Sequence, residues 1–156
     1  MSYRRICGIL LLLMAGSFPA AARDLALVSN KANNMNAVTM ADLAKMCKAQ
    51  MNRLPDGKPL TFVMRPPSAP AMRMFLEKVY GMSESDVNGL IASANHGRTN
   101  HPAILIVGSD ENLVNTVAST PGAVGVVDVY SINSSVEVVK VAGKLPLEPG
   151  YLLHGN

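Results

Sequence analysis

The chain has 156 residues, of which 49% are hydrophobic, 14 are basic and 11 are acidic. A chain of this size and apolar content can form one domain with a hydrophobic core. Only 4% of the residues are aromatic, tryptophan is absent, and no basic cluster is interleaved with aromatic residues. Composition and charge therefore give no support for a nucleic-acid-binding function.

Residues 1–22 have the pattern of an export signal. Arg4 and Arg5 form a basic start, residues 9–14 form a short apolar run, and Ala20–Ala22 supply small residues for a signal peptidase. The apolar run is too short to span a bilayer. We expect cleavage after Ala22, which makes residues 23–156 the exported domain, in the periplasm or outside the cell. Loss of the two arginines leaves the mature chain nearly neutral.

The first part of the exported domain is predicted to be a strand, a loop and a helix. The apolar run Leu25–Val28 indicates a buried strand, and a polar loop follows through Asn36. Thr39 has the position of an N-cap, with Asp42 three residues later as in a capping box. The helix that follows is predicted to end near Gln50.

The segment around Arg65 is the strongest candidate for a site. An apolar strand, Leu60–Met64, brings Arg65 to its end, and Ser68 precedes a helix predicted over residues 71–81. A guanidinium, a hydroxyl and the unpaired N–H groups of a helix start would then lie within reach of one anion. The alternative is that Ser68 only caps its helix and Arg65 only pairs with a surface carboxylate.

The rest of the chain alternates between predicted helices and strands. Ser83 and Ser109 are expected to cap two helices, and the polar stretch from Asn95 to Pro102 is expected to be a loop. The apolar runs predict strands at Ala103–Val107, Ala123–Val129 and Val136–Val141, before an irregular C-terminal stretch. This alternation predicts an α/β fold, with a central sheet flanked by helices in one domain.

No residue pattern indicates catalysis or a bound metal. His96 and His101 lack the spacing and the companions of a zinc site, and the methionines fill a core more simply than they bind Cu(I). Cys47 lies on the apolar face of its helix, where a buried thiol is expected and a reactive thiol is the alternative. Signature motifs of hydrolases, nucleotide-binding loops and metalloproteases are absent from the sequence. We expect a non-catalytic protein without a cofactor or metal.

The chain resembles the phosphate-binding-protein-like family of exported proteins, which is related to the substrate-binding subunit of phosphate ABC transporters. The resemblance covers nearly the whole mature chain and depends on the order of short motifs. These are Leu27–Asn30 as a hinge strand, Thr39–Gln50 as a first helix, Leu54–Leu60 as a turn, Arg65–Phe75 as an arginine, serine and helix segment, and Ser109–Val127 with its Pro-Gly-Ala-Val-Gly-Val-Val sequence.

The resemblance implies one lobe of a periplasmic-binding-protein-like fold that holds phosphate or a similar oxyanion. Arg65 and Ser68 match the family's phosphate-binding turn, with the N–H of Ala69 as a further donor. Pro70 stands where the family has threonine, and Val126 where it has tyrosine.

We also expect Arg73 to reach back from the helix, and Arg98 and Thr99 to close the anion site from a neighbouring loop. One lobe leaves a ligand half in water, so a second copy or another periplasmic protein would supply the opposite wall. The alternative function is an interaction module that reuses the fold and has no ligand of its own.

Overall fold

The computed structural model describes residues 23–155, so the expected export signal lies outside the described residues. The strands are β1 (Leu25–Ser29), β2 (Ala37–Val38), β3 (Thr61–Met64), β4 (Ile104–Ile106), β5 (Ala123–Asp128) and β6 (Glu137–Val141). The α-helices are α1 (Met40–Cys47), α2 (Arg73–Phe75), α3 (Glu84–Asn95) and α4 (Asp110–Ser119). Among these residues, no helix is both long enough and apolar enough to cross a membrane.

All six strands form one sheet in the order β2-β6-β1-β5-β3-β4. β1 runs antiparallel to both of its neighbours, whereas β3 is parallel to β4 and β5, and β2 is parallel to β6. Five strands therefore end at one edge of the sheet, which we call the carboxyl edge, and β1 begins there. The predicted α/β class is confirmed. β2 was not predicted, because two residues in a polar stretch are too short to show a period.

Helices cover both faces of the sheet. Leu25 and Leu27 of β1 join the larger core cluster, which includes α1 and the segment from Met72 to Tyr80, whereas Ala26 and Val28 join the cluster beneath α4. Alternate residues of a strand point to opposite faces, so one apolar run contributes to both cores. This explains why β1 is a continuous apolar run although it is antiparallel.

The helix predicted over residues 71–81 is a composite helix of three types of turn. A 3₁₀ turn at Pro70–Met72 leads into α2, and a π-helical turn at Leu76–Tyr80 follows and ends, as predicted, at Gly81. We call residues 70–80 the composite helix. Its N-cap is Ala69, without a side-chain hydrogen bond. The prediction that Ser68 opens this helix is wrong, because Pro70 takes the first helical position and moves the start beyond the serine.

The other predicted helix starts are confirmed. Thr39, Ser83 and Ser109 each accept a hydrogen bond from the backbone N–H three residues later, at 3.0 to 3.1 Å. Helix α1 ends at Cys47, three residues before the predicted end.

The edge opposite the carboxyl edge is held together by a buried asparagine. Asn33 lies in a 3₁₀ turn after β1, and its side-chain amide donates to Ser29 Oγ at 2.9 Å and to the carbonyl of Ala123 at 3.0 Å. Its side-chain oxygen accepts from the N–H of Gly122 at 2.8 Å. One side chain thus joins two segments that are about ninety residues apart in sequence.

We expect Asn33→Ala to lower the free energy of unfolding by about 2 to 4 kcal/mol, because it removes three buried hydrogen bonds and leaves the buried N–H of Gly122 without a partner. Urea denaturation of the purified protein measures the change. Asn36→Ala is the matched control, because Asn36 is exposed, and its effect should stay within about 0.5 kcal/mol. An equally small effect of Asn33→Ala would show that these hydrogen bonds contribute little to stability.

Candidate functional site

At the carboxyl edge, the chain segments that leave the neighbouring strands β3 and β5 run in opposite directions along the sheet. The chain leaving β3 goes to β4 on one side, and the chain leaving β5 goes to β6 on the other. In open α/β sheets, ligands bind in the crevice that such a reversal of strand order creates beyond the carboxyl ends of the strands. Residues that follow β3, β4 and β5 are therefore the first candidates for a binding site.

Arg65 occupies this position. Its Nη1 donates to Asp110 Oδ1 at 2.9 Å, and Asp110 Oδ2 accepts from Ser131 Oγ at 3.2 Å. These two contacts together join the segments that follow β3, β4 and β5, and the side chains of Arg65 and Asp110 are each about one quarter exposed. The alternative that Arg65 pairs with a carboxylate is thus observed. Its Nε, however, is buried and has no hydrogen-bond partner among the described residues, which leaves a charged donor available for an acceptor.

A second arginine at this edge was missed by the sequence analysis. Arg23 Nη1 lies 3.4 Å from Asp128 Oδ2, and its guanidinium lies over the ring of Tyr130 at 5.1 Å from the centroid. Arg23 precedes β1, whose first residue Leu25 is paired with Asp128 in antiparallel register. No motif in the sequence indicates this position, because it follows only from the direction of β1 in the sheet.

Two neighbouring cavities meet at the start of the composite helix and share Arg73 and Glu77 in their walls. The Ser68 cavity has a volume of about 260 Å³ and is also lined by Ser68, Ala69 and Glu84. The Arg23 cavity has a volume of about 330 Å³ and is also lined by Arg23 and Lys78. Their charges differ. Among the described lining residues, the Ser68 cavity has one cation and two carboxylates, whereas the Arg23 cavity has three cations and one carboxylate.

The start of the composite helix offers few backbone donors. The N–H of Ala69 already donates to the carbonyl of Pro66 at 2.8 Å, and Pro70 has no N–H group. Hydrogen-bond donors at this start therefore come mainly from the side chains.

Arg98 and Thr99 lie away from the carboxyl edge. Their loop precedes β4, and its end is tied to the amino end of β3, because Thr61 Oγ1 donates to the carbonyl of Pro102 at 3.1 Å. β3 and β4 are parallel, so this loop lies at the edge opposite Arg65. The structure therefore brings together Ser68, Ala69 and Arg73, places Arg65 directly before them in the chain, and lines a separate depression with Arg98 and Thr99.

No family model matches the chain, and no curated protein does. Solved structures do match. An ABC-type phosphate transport receptor from Vibrio cholerae superposes with a TM-score of 0.70 at 20% identity, over 86% of this chain and 55% of the receptor. PstS from Borrelia burgdorferi superposes with a TM-score of 0.65 at 15% identity, over 87% of this chain and 56% of PstS.

A phosphate-binding protein from Stenotrophomonas maltophilia gives a TM-score of 0.61 at 18% identity, over 82% of this chain and 41% of that protein. The fold is that of phosphate-binding proteins. The resemblance inferred from the motifs is confirmed at the level of the fold, and the chain spans about half the length of the structures that it matches.

Cys47 is the only cysteine among residues 23–155, and its surroundings make it unsuited to act as a nucleophile. Cys47 is completely buried, and burial raises the pKa of its thiol from 9.0 to about 12. Tyr80 packs beside it, donates its hydroxyl to the Cys47 carbonyl at 2.7 Å, and also has its pKa raised by burial. Within residues 23–155, no three His, Cys, Asp or Glu side chains are grouped to hold a metal ion.

We expect the Cys47 thiol of the native protein to react with a disulfide reagent at pH 8 only as fast as the chain unfolds. Above pH 9 the unfolded chain releases the thiol proton while the native chain keeps it, so alkaline pH favours unfolding. Between pH 9 and 12, Cys47 should lower the unfolding free energy by up to about 1.4 kcal/mol per pH unit.

Urea denaturation between pH 9 and 12 measures how steeply the free energy of unfolding falls with pH. Cys47→Ala should make this fall shallower but not abolish it, because Tyr80 still contributes. Rapid labelling of the folded protein, or an unchanged slope in the variant, would contradict the assignment of Cys47 as a buried, protonated thiol.

Proposed function

We propose that the chain is an exported, non-catalytic solute-binding domain that binds phosphate or a similar oxyanion at the carboxyl edge of its sheet. The observation that carries the proposal is Arg65, which follows β3 at the reversal of strand order and has a buried Nε–H that finds no acceptor within residues 23–155. The fold supports it, because the structures that match are named for phosphate binding or phosphate transport.

Arg65 can exchange its carboxylate partner for a ligand. The Arg65–Asp110 pair is a single contact between side chains that remain about one quarter exposed, so an incoming anion can reach the guanidinium and compete with Asp110. A hydrogen bond from the Nε–H of Arg65 to a charged oxygen contributes about 1.5 to 3 kcal/mol. The planar guanidinium can also bind two oxygens of one oxyanion at the same time. A phosphate dianion therefore competes well against a single carboxylate.

Ser68 and Arg73 complete the proposed site from the start of the composite helix. The Ser68 hydroxyl can donate to an oxyanion, and Arg73 adds a second guanidinium. The Ala69 N–H would take part only if it released the carbonyl of Pro66, so we give it a minor role. We leave out Arg98 and Thr99, because their loop lies at the opposite edge of the sheet.

Isothermal titration with inorganic phosphate and with sulfate, at matched ionic strength, tests the proposal. We expect saturable binding of one oxyanion, and we expect Arg65→Ala to weaken it by roughly ten- to a hundredfold. Arg53→Ala is the matched control, because Arg53 is exposed and lies before the amino end of β3, where its Nη1 contacts the Gly57 carbonyl. Thermal unfolding of both variants confirms that they remain folded.

An interaction module without a ligand is the second candidate function. Large apolar side chains are exposed near the carboxyl edge, including Tyr130 at 69%, Leu147 at 64% and Ile106 at 36%. A second copy of the chain or another periplasmic protein could cover them. Absence of oxyanion binding by the folded wild-type protein, or binding that Arg65→Ala leaves unchanged, would contradict the Arg65 site. Only the first outcome would favour an interaction module.

Export is the remaining part of the proposal. When the full chain is produced in bacteria with a periplasm, we expect the protein to be recovered from the periplasmic extract. Its intact mass should correspond to residues 23–156, because cleavage follows Ala22. Replacement of Ala20 and Ala22 by arginine should block this cleavage. Recovery of the uncleaved wild-type chain from the cytoplasm would contradict the proposed export.

A further inference from the structure

The Arg23 cavity combines positive charge with apolar surface. It lies between the start of β1 and the composite helix, and Arg23, Arg73 and Lys78 supply its cations. Met74 lines it together with Pro70 and Ala71, and the Met74 side chain is half-buried against the larger core cluster. A site with both kinds of surface suits a ligand that has a charged head and an organic body.

The charges in this cavity are not fully compensated by the protein. Among residues 23–155, Arg73 makes no ion pair, and Arg23 contacts Asp128 only at 3.4 Å with a side chain that is 58% exposed. Lys78 Nζ is held by the carbonyl of His154 at 2.8 Å, which keeps its full charge in place. Among the described residues that line the cavity, Glu77 is the single carboxylate, so these residues carry an excess of positive charge that an anion would neutralise.

The size of the cavity argues against inorganic phosphate as its best ligand. Its volume of about 330 Å³ lies at the lower end of the roughly 300 to 1,000 Å³ that small organic ligands occupy. An inorganic phosphate ion between the arginines would leave much of this space, including the surface of Met74, to water. Displacing that water with an apolar group is favourable.

We propose that the Arg23 cavity binds a phosphate monoester with a small apolar group. The phosphate head, which is close to a dianion at neutral pH, lies between Arg23 and Arg73, and the organic group contacts Met74 and Ala71. This inference rests on the proposed oxyanion-binding function and extends it to a neighbouring site, because Arg65 and Ser68 do not line the Arg23 cavity. Arg73 lines both this cavity and the Ser68 cavity, so it is the residue that the two sites share.

Titration with inorganic phosphate and with butyl phosphate, at pH 8 and matched ionic strength, tests the ligand class. We expect butyl phosphate to bind about tenfold more tightly, because each buried methylene increases affinity several-fold. Butanol, which lacks the charged head, should give no measurable binding. Equal affinities for the two phosphates would overturn this inference while leaving the proposed function standing. Absence of binding by either phosphate would overturn both.

Two pairs of variants test the location. Arg23→Gln should weaken the binding of butyl phosphate about tenfold, whereas Arg53→Gln should leave this affinity unchanged. Met74→Gln should bring the affinity for butyl phosphate down to that for inorganic phosphate, because it makes the apolar wall polar. Met51→Gln is its control, since Met51 is also half-buried against the same core but lies beside β2. A preference for the ester that survives Met74→Gln would overturn the assignment to this cavity.

Discussion

The antiparallel placement of β1 in the middle of an otherwise parallel sheet is the constraint on which the rest of the structure depends. Its pairing with β5 and β6 brings Arg23, just before the strand, to the carboxyl edge and sends the next turn to the opposite edge. Arg23 therefore meets Asp128 at one end of the strand, and Asn33 meets Gly122 at the other. Both ends of the sheet gain long-range contacts from a strand of five residues.

The contacts at the two edges differ in how deeply they are buried and in how fully their hydrogen-bonding groups are paired. At the amino edge, the amide of Asn33 is buried and all its hydrogen bonds go to neighbouring groups of the chain. Such a fully satisfied buried network holds the backbone in one arrangement. At the carboxyl edge, Arg65 and Asp110 are partly exposed, and Arg65 keeps a donor that no other described residue uses. The amino edge is thus held in one arrangement, whereas the ion pairs of the carboxyl edge are the contacts that the proposed ligand would replace.

Local patterns in the sequence are sufficient to predict most of the elements. The Thr39, Ser83 and Ser109 caps depend on neighbouring residues, and five strands show as apolar runs. The start of the composite helix was predicted wrongly, because a serine cap and a proline at the first turn compete within three residues and the proline determines the register. The fold resemblance came from the order of motifs, which carries information that no single short motif has.

The candidate site was harder to predict, because its members are joined by topology rather than by spacing. Arg65 was identified from its position at the end of a strand. Its partners Asp110 and Ser131 come from later elements, and Arg23 comes from the beginning of the domain. By contrast, Arg98 was expected to belong to the site, but its loop lies at the amino end of β4, at the edge opposite Arg65. A sequence without strand directions cannot distinguish these two arginines.

Pro70 determines what kind of recognition this edge can offer. By removing a backbone N–H and replacing the first turn with a 3₁₀ turn, it leaves recognition to side chains. Backbone donors in a rigid turn select an ion by its exact geometry, whereas arginines on flexible stems select mainly by charge and by the space around them. A site that offers few fixed backbone donors and adjoins a cavity lined by Arg23, Arg73 and Met74 is therefore better suited to a larger organic anion than to a small inorganic one.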